Sequence, residues 1–197
     1  VAMLYPGHAA EDDFELIEPY HAPPLDTEFR PAVLANRAFV NAVQESGHST
    51  PLRIALERAD GSVSTFETVC YDSHSEKFGA NLFYAERLVK FLLWQRGGWK
   101  VTVGGPSAIG EYIKKVYSPT GERSFDYDFM GQQVYEREFT VEVTDAASVP
   151  DTREDTVPLG RHLDGCRIGI DLGGSDYKLA AVKDGESVCA DEFPWDP

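Results

Sequence analysis

Residues 165–186 read GCRIGIDLGGSDYKLAAVKDGE, an apolar strand, a double-glycine turn, a returning strand and a tight Asp-Gly turn. Alternation puts Ile168 and Ile170 on one side of the first strand, which ends at Asp171. Gly173-Gly174 lets the backbone turn sharply and leaves N–H groups with no Cβ in front of them. Ser175 adds a hydroxyl, and Lys178 lies on the returning strand. A carboxylate at a strand end beside bare amides and a hydroxyl is what the phosphates of a Mg-nucleotide need. The amides cradle oxygens while the acid holds Mg2+ or its water shell. Ordinary hairpin turns also favour Asp and Gly, so the DxGG pattern by itself leaves both readings open.

Bulk properties narrow the choice. A chain of 197 residues has room for one domain, or for one plus a piece of another. Its 42% hydrophobic content is enough to build a core. With 33 acidic against 18 basic residues the formal charge is −15. That balance argues against nucleic-acid or anionic-membrane surfaces, which need clustered Lys and Arg, and favours plain solubility over a basic partner. Cys70, Cys166 and Cys189 are widely spaced and form no CxxC pair. They make neither a disulfide framework nor a structural zinc signature, and they fit a reducing compartment; the expected localisation is cytoplasmic. His162 and Cys166 supply only two ligands, too few for a site. No apolar run nears the length of a membrane span, and the opening VAMLYPGHAAEDDFELIEP has the wrong charge for a secretory signal.

Upstream of the glycine turn, residues 1–50 read as an extended arm with a short helix over AVLANRAFVNAVQESG, stopped at Gly47. Residues 51–150 read as an α/β module. Leu52, Ile54 and Leu56 alternate, Asp60-Gly61 makes a two-residue turn, and Val63, Thr65, Glu67 and Val69 alternate back as a hairpin. Leu82, Ala85, Leu88, Val89, Leu92 and Leu93 fall on one helical stripe that ends at Gly97-Gly98. WKVTVGGPSAIGEYIKKVYS then gives a buried strand, a glycine turn and a helix capped by Ser107 or begun near it, so strands and helices alternate. Between Ser118 and Val149 the pattern predicts loop followed by strand material containing Val134, Phe139, Val141 and Val143. Residues 151–165 are polar, proline-marked and aperiodic, and read as a linker to 166–197.

The wider string IGIDLGGSDYKLAAVKDGESVCADEFPWDP resembles the opening of the ROK family of sugar kinases and related regulators, within the actin-like ATPase (ribonuclease H-like) fold. That family starts its kinase domain with a strand, a DxGGT-type phosphate loop, a Lys or Arg on the next strand and a short turn. Asp171, Gly173, Gly174, Ser175 and Lys178 occupy the matching positions, and Asp184-Gly185 supplies the turn. Ser175 stands where the family has Thr, and Asp176-Tyr177 replaces a Lys/Asn-Ile pair, which brings a negative side chain close to the phosphates. The resemblance implies an ATP-dependent kinase of a sugar or sugar derivative. Asp171 would organise Mg2+, the Gly173-Gly174-Ser175 turn would hold phosphates, and Lys178 would offset charge. It also implies a homodimer, and a sugar-binding carboxylate base and a His/Cys zinc motif well downstream of the hairpin. The chain is accordingly expected to be an inactive N-terminal piece of a longer protein, with no catalytic base of its own. A sugar sensor or regulator without catalysis is the rival, kept open by Asp176; a third reading makes 51–150 an interaction module.

A second likeness is weaker. ANLFYAERLVKFLLWQRGGWKVTVGGPSAIGEYIKKVYS is similar to the segment near the end of ROK-type kinases where a GG turn approaches adenosine, which would place Gly104 and Gly105 beside the nucleotide. A plain strand–turn–helix crossover accounts for the same glycines and is preferred. Asp126, Asp128, Glu136 and Glu138 read as the solvated face of strands. Phe83, Tyr84, Phe91, Trp94 and Trp99 read as core rather than as a sugar platform. Ser73, His74 and Ser75 are adjacent, which does not build a triad.

Overall fold

The apolar stripes set the elements of the first unit. In the computed structural model, which describes residues 14–154 and 164–195, the chain divides into two compact units, Val1–Asp155 and Thr156–Pro197. Helix α1 (Ala32–Glu45) follows Pro31 and buries Ala35, Phe39 and Val43, four residues apart on one face. Strands β1 (Ser49–Glu57) and β2 (Val63–Tyr71) form an antiparallel hairpin. Helix α2 (Ala80–Arg96) buries Ala85, Leu88, Val89, Leu92 and Leu93 of the expected stripe, and Leu82 packs against the core partly buried. Strand β3 (Lys100–Gly104), helix α3 (Ser107–Val116) and strand β4 (Thr140–Thr144) complete the unit, with β3 and β4 parallel. The sheet order is β2-β1-β3-β4.

Leu52, Ile54 and Leu56 are at most 1% exposed and share one core with Val101 and Val103 of the sheet and with Phe39, Val43, Val89, Leu93, Ile109 and Ile113 of the three helices. Phe14 joins this core and packs its ring on Phe39 and Phe83, 5.6 and 5.0 Å between centroids. The other face of the sheet carries a separate small cluster, Ala55, Val63 and Val149. There the segment after β4 crosses the strands: the Arg53 guanidinium donates to the carbonyls of Ala146 and Val149 and pairs with Asp151 at 2.7 Å.

Four expectations change. The β1–β2 loop is a three-residue turn, Ala59-Asp60-Gly61, closed by the Arg58 N–H on the Ser62 carbonyl at 3.0 Å. Asp60 accepts from the Ser62 amide and hydroxyl, and Gly61 takes the left-handed φ of +79°. The extra residue pairs Ile54 with Phe66, so Ser64, Phe66, Thr68 and Cys70 share the face of Leu52, Ile54 and Leu56. Val63, Thr65, Glu67 and Val69 therefore lie on the opposite face. Second, residues 124–134 are helical, as α4 (Ser124–Asp128) running into a π-helical turn (Phe129–Val134). Val134 is not strand material. Third, of the two starts read for α3 only one holds: Ser107 makes no capping bond and is instead the first helical residue, after Pro106. Fourth, the expected linker does not begin at 151, because Arg153 exchanges both backbone hydrogen bonds with Val63 on the back of the sheet. Residues 155–163, including His162, lie outside the described residues.

The second unit is an antiparallel three-stranded sheet, β5 (Cys166–Leu172), β6 (Asp176–Lys183) and β7 (Glu186–Pro194), in the order β5-β6-β7. The turn Asp184-Gly185 has φ of +49° and +88°, the two-residue geometry whose twist matches the strands it joins. Taken together the chain is a mixed α/β protein.

Candidate functional site

The phosphate-loop residues predicted from sequence converge at the β5–β6 turn. Pairing sets Leu172 opposite Tyr177 and Asp171 opposite Lys178, so the carboxylate and the ammonium stem lie on the same face of the hairpin. The Gly173 N–H donates to the Asp176 carbonyl at 2.8 Å, which closes a two-residue tip of Gly174 and Ser175. Trp195 fastens the tip from β7's end: its amide donates to the Ser175 carbonyl at 3.0 Å, and its indole Nε1 to the Gly173 carbonyl at 2.9 Å. A Cβ at Gly174 would meet nothing within 4 Å, so the tip is open to a ligand on its outer side.

Charge at the tip is dominated by Asp176. Its Oδ1 receives Lys178 Nζ at 2.9 Å and its Oδ2 the Ser175 hydroxyl at 3.1 Å. Lys178 in the first place, then the Ser175 hydroxyl, holds the Asp176 carboxyl below the usual carboxylate range. Conversely Asp176, then Glu192 at 4.0 Å, raises Lys178, with Asp171 adding to the effect. One ammonium thus stands among three carboxylates. That excess of negative charge suits a phosphate arriving with a divalent cation better than a bare one. Among the described residues no group of three or more His, Cys, Asp or Glu side chains is arranged to hold a metal. Mg2+ held by a single carboxylate, phosphate oxygens and water needs no such cage. The groups that could hold a Mg-nucleotide here are Asp171 for the metal, the Gly174-Ser175 tip for phosphate oxygens and Lys178, already paired with Asp176, for charge.

Gly104 and Gly105 lie at the C-terminal end of β3, before α3. A Cβ on Gly104 would sit 2.2 Å from Val149 Cγ2 and 2.9 Å from both Ala146 Cα and the Asp145 carbonyl. The protein's own crossing segment fills the space in front of that glycine, and close packing alone accounts for it.

One polar constellation escaped the sequence reading. Asp126, expected on a solvated strand face, is 1% exposed on α4. Its Oδ1 receives Lys90 Nζ at 2.5 Å and the Trp94 indole N–H at 2.7 Å. Trp94, Phe125 and Phe129 stack around it with ring planes within 13° of one another. Of the rings expected in the core, Tyr84 is buried, but Trp94 is 49% and Phe91 60% exposed; Phe125, stacked beside Trp94, is 62% exposed. The i, i+4 spacing of Phe125 and Phe129 was the helical signal available. A second buried pair, Arg123 with Glu86, ties the loop before α4 to α2.

No protein-family model matches this chain, and no curated protein or solved structure matches it either. Among the described residues no helix is long and apolar enough to cross a membrane.

Proposed function

We propose that the second unit is the phosphate-binding hairpin of an ROK-type, ATP-dependent sugar kinase. The observation that carries this reading is the open Gly174-Ser175 tip with Asp171 and Lys178 paired across the strands beside it. The chain order supports it as well: strand, DLGGS turn, basic strand, Asp-Gly turn, third strand. When bound, Mg-ATP would supply the phosphoryl group. Asp171 would orient the metal, the tip amides and the Ser175 hydroxyl would hold phosphate oxygens, and Lys178 would offset their charge, so these residues bind and position. The base that accepts the sugar hydroxyl proton is not among them.

Asp176 favours a second reading, a sugar sensor in which nucleotide binding is weakened. Lys178 must leave or share the Asp176 carboxylate to meet a phosphate, and the 2.9 Å ion pair opposes that move. Calorimetric titration of the chain with Mg-ATP tests both. The kinase reading expects binding that Asp171→Ala weakens at least ~10-fold, about 1.4 kcal/mol, and that Asp176→Asn strengthens. Folded protein that binds no Mg-ATP in either the wild type or Asp176→Asn overturns it.

A further inference from the structure

A chain of charge −15 would be expected to show carboxylates wherever it is charged. One surface of the first unit does the opposite. Between α1 and α2, over β2, runs a groove of about 810 Å3, within the range of small-molecule sites. Its apolar lining includes Val33, Val40, Phe66, Leu88 and Phe91. Four of the chain's 18 basic residues line it, namely Arg37, Arg87, Lys90 and Arg123, and among the described residues none of the 33 acidic ones does.

The four cations are not equivalent. Lys90 is held by Asp126 and Arg123 by Glu86, both acids lying outside the lining. Arg37 and Arg87 have no carboxylate partner among the described residues. Arg87 is half-buried, with its guanidinium 5.1 Å from the Phe83 ring centroid and 6.0 Å from that of Phe14. Burial pulls its pKa down, against the pull of Glu86 next to it. A half-buried guanidinium stacked on aromatic rings, with its hydrogen-bond donors unmatched by an acid, is set to receive one. On α1 the lining runs from Ala32 to Asn41, about 14 Å at the helical rise of 1.5 Å per residue. The groove is therefore elongated, apolar along its floor and cationic in its charged groups.

We propose that this groove binds an amphipathic small-molecule anion, an elongated apolar body carrying a carboxylate or phosphate head that pairs with Arg87 and Arg37. The apolar body lies along Phe66, Leu88 and Val40. This site belongs to the first unit and does not depend on the nucleotide reading of the second.

Titration of the chain with decanoate below its micelle concentration, with decanol and decylammonium as matched controls, tests the assignment. Decanoate should bind at least ~10-fold more tightly than either control, about 1.4 kcal/mol, and more weakly as salt is raised. Asn36→Asp places a carboxylate in the lining with no change of size; it should weaken decanoate at least ~10-fold and leave decanol unchanged. Arg87→Gln should weaken decanoate likewise, and because Arg87 also packs on Phe83, Asn36→Asp keeps the test decisive if that variant folds poorly. Equal affinity for decanoate and decanol, no effect of Asn36→Asp, or no binding of decanoate would each overturn the proposal. So would binding to phosphatidylserine vesicles without binding of monomeric decanoate, which would make the groove a membrane-facing surface.

Discussion

The two sheets use the same alternation and end in opposite surroundings. On β1, Leu52, Ile54 and Leu56 are at most 1% exposed; on β5, Ile168, Ile170 and Leu172 are 65–78% exposed. Both triplets point to one face, as their period demands. Three helices cover the first, while among the described residues of the second unit nothing packs over the other. Periodicity therefore states which residues travel together, and a second layer decides whether they are removed from water. The apolar face of β5 has the composition of a core position and the exposure of a surface one.

Truncation separates the two sheets most sharply. Ile54→Ala should destabilise the first unit by about 3 kcal/mol, through lost transfer energy and a cavity that its neighbours fill only partly. Ile170→Ala should cost the second unit less than ~1 kcal/mol. Denaturant unfolding followed separately for each unit checks both. A large loss at Ile170 would mean that its face is covered in solution.

Buried charge comes next. Asp126→Asn preserves shape and the acceptor for Trp94 but leaves Lys90 without its carboxylate. Lys90 is 34% exposed and reaches water, so the loss should be about 2 kcal/mol, below that of a fully enclosed pair. The Lys178–Asp176 pair of the second unit is exposed, and Asp176→Asn should leave stability nearly unchanged.

The two glycine pairs give a third contrast. Gly104→Ala drives a Cβ into backbone at Ala146 and Asp145 and should cost about 2 kcal/mol. Gly174 meets nothing and has no left-handed φ, so Gly174→Ala should change stability by no more than ~0.5 kcal/mol. A marked fall in Mg-ATP affinity in a Gly174→Ala protein of unchanged stability would tie that glycine to a ligand.

The smallest effect is a titration. The Asp176 carboxyl, followed by NMR, should protonate below the usual carboxylate value of about 3.9, and Lys178→Met should return it toward that value. The sign follows from the two shifts. A depressed Asp176 stabilises the fold above the ordinary carboxylate pKa, and that contribution is lost as pH falls through the lowered one. The raised Lys178 contributes below the ordinary lysine pKa, and its share is lost as pH rises through the raised one.

Much of this architecture is written in local pattern. The stripe of α2, the alternation of β1 and the Asp184-Gly185 turn are all visible in a few adjacent residues. The face of β2 is not, because it depends on whether the turn at Asp60-Gly61 holds two residues or three. That choice involves Arg58, Ser62 and the Asp60 side chain together. Asp126 was hidden for another reason: its acidic spacing with Asp128 imitates a strand, while its partners Lys90 and Trp94 lie more than thirty positions earlier on α2. At the candidate site, residue types and their convergence at one turn were legible. The Asp176 pairing with Lys178 across a single intervening residue was not, since it depends on side-chain direction at the hairpin's end.

The crossing segment behind the first sheet carries a consequence for how the protein is made. Arg153 closes on Val63 and Asp151 on Arg53, contacts that span 90 and 98 positions. A ribosome adding residues from the N-terminus can release β1, β2 and α2 early, and that portion can collapse around its helices. Its back face stays bare until residue 154 has left the exit tunnel, so Ala55 and Val63 wait uncovered through much of the unit's synthesis. Arg53 and Glu67, side by side on that face at 2.9 Å, keep it charged during the wait. A nascent chain paused there would offer neighbouring chains a less adhesive edge than an all-apolar strand pair would.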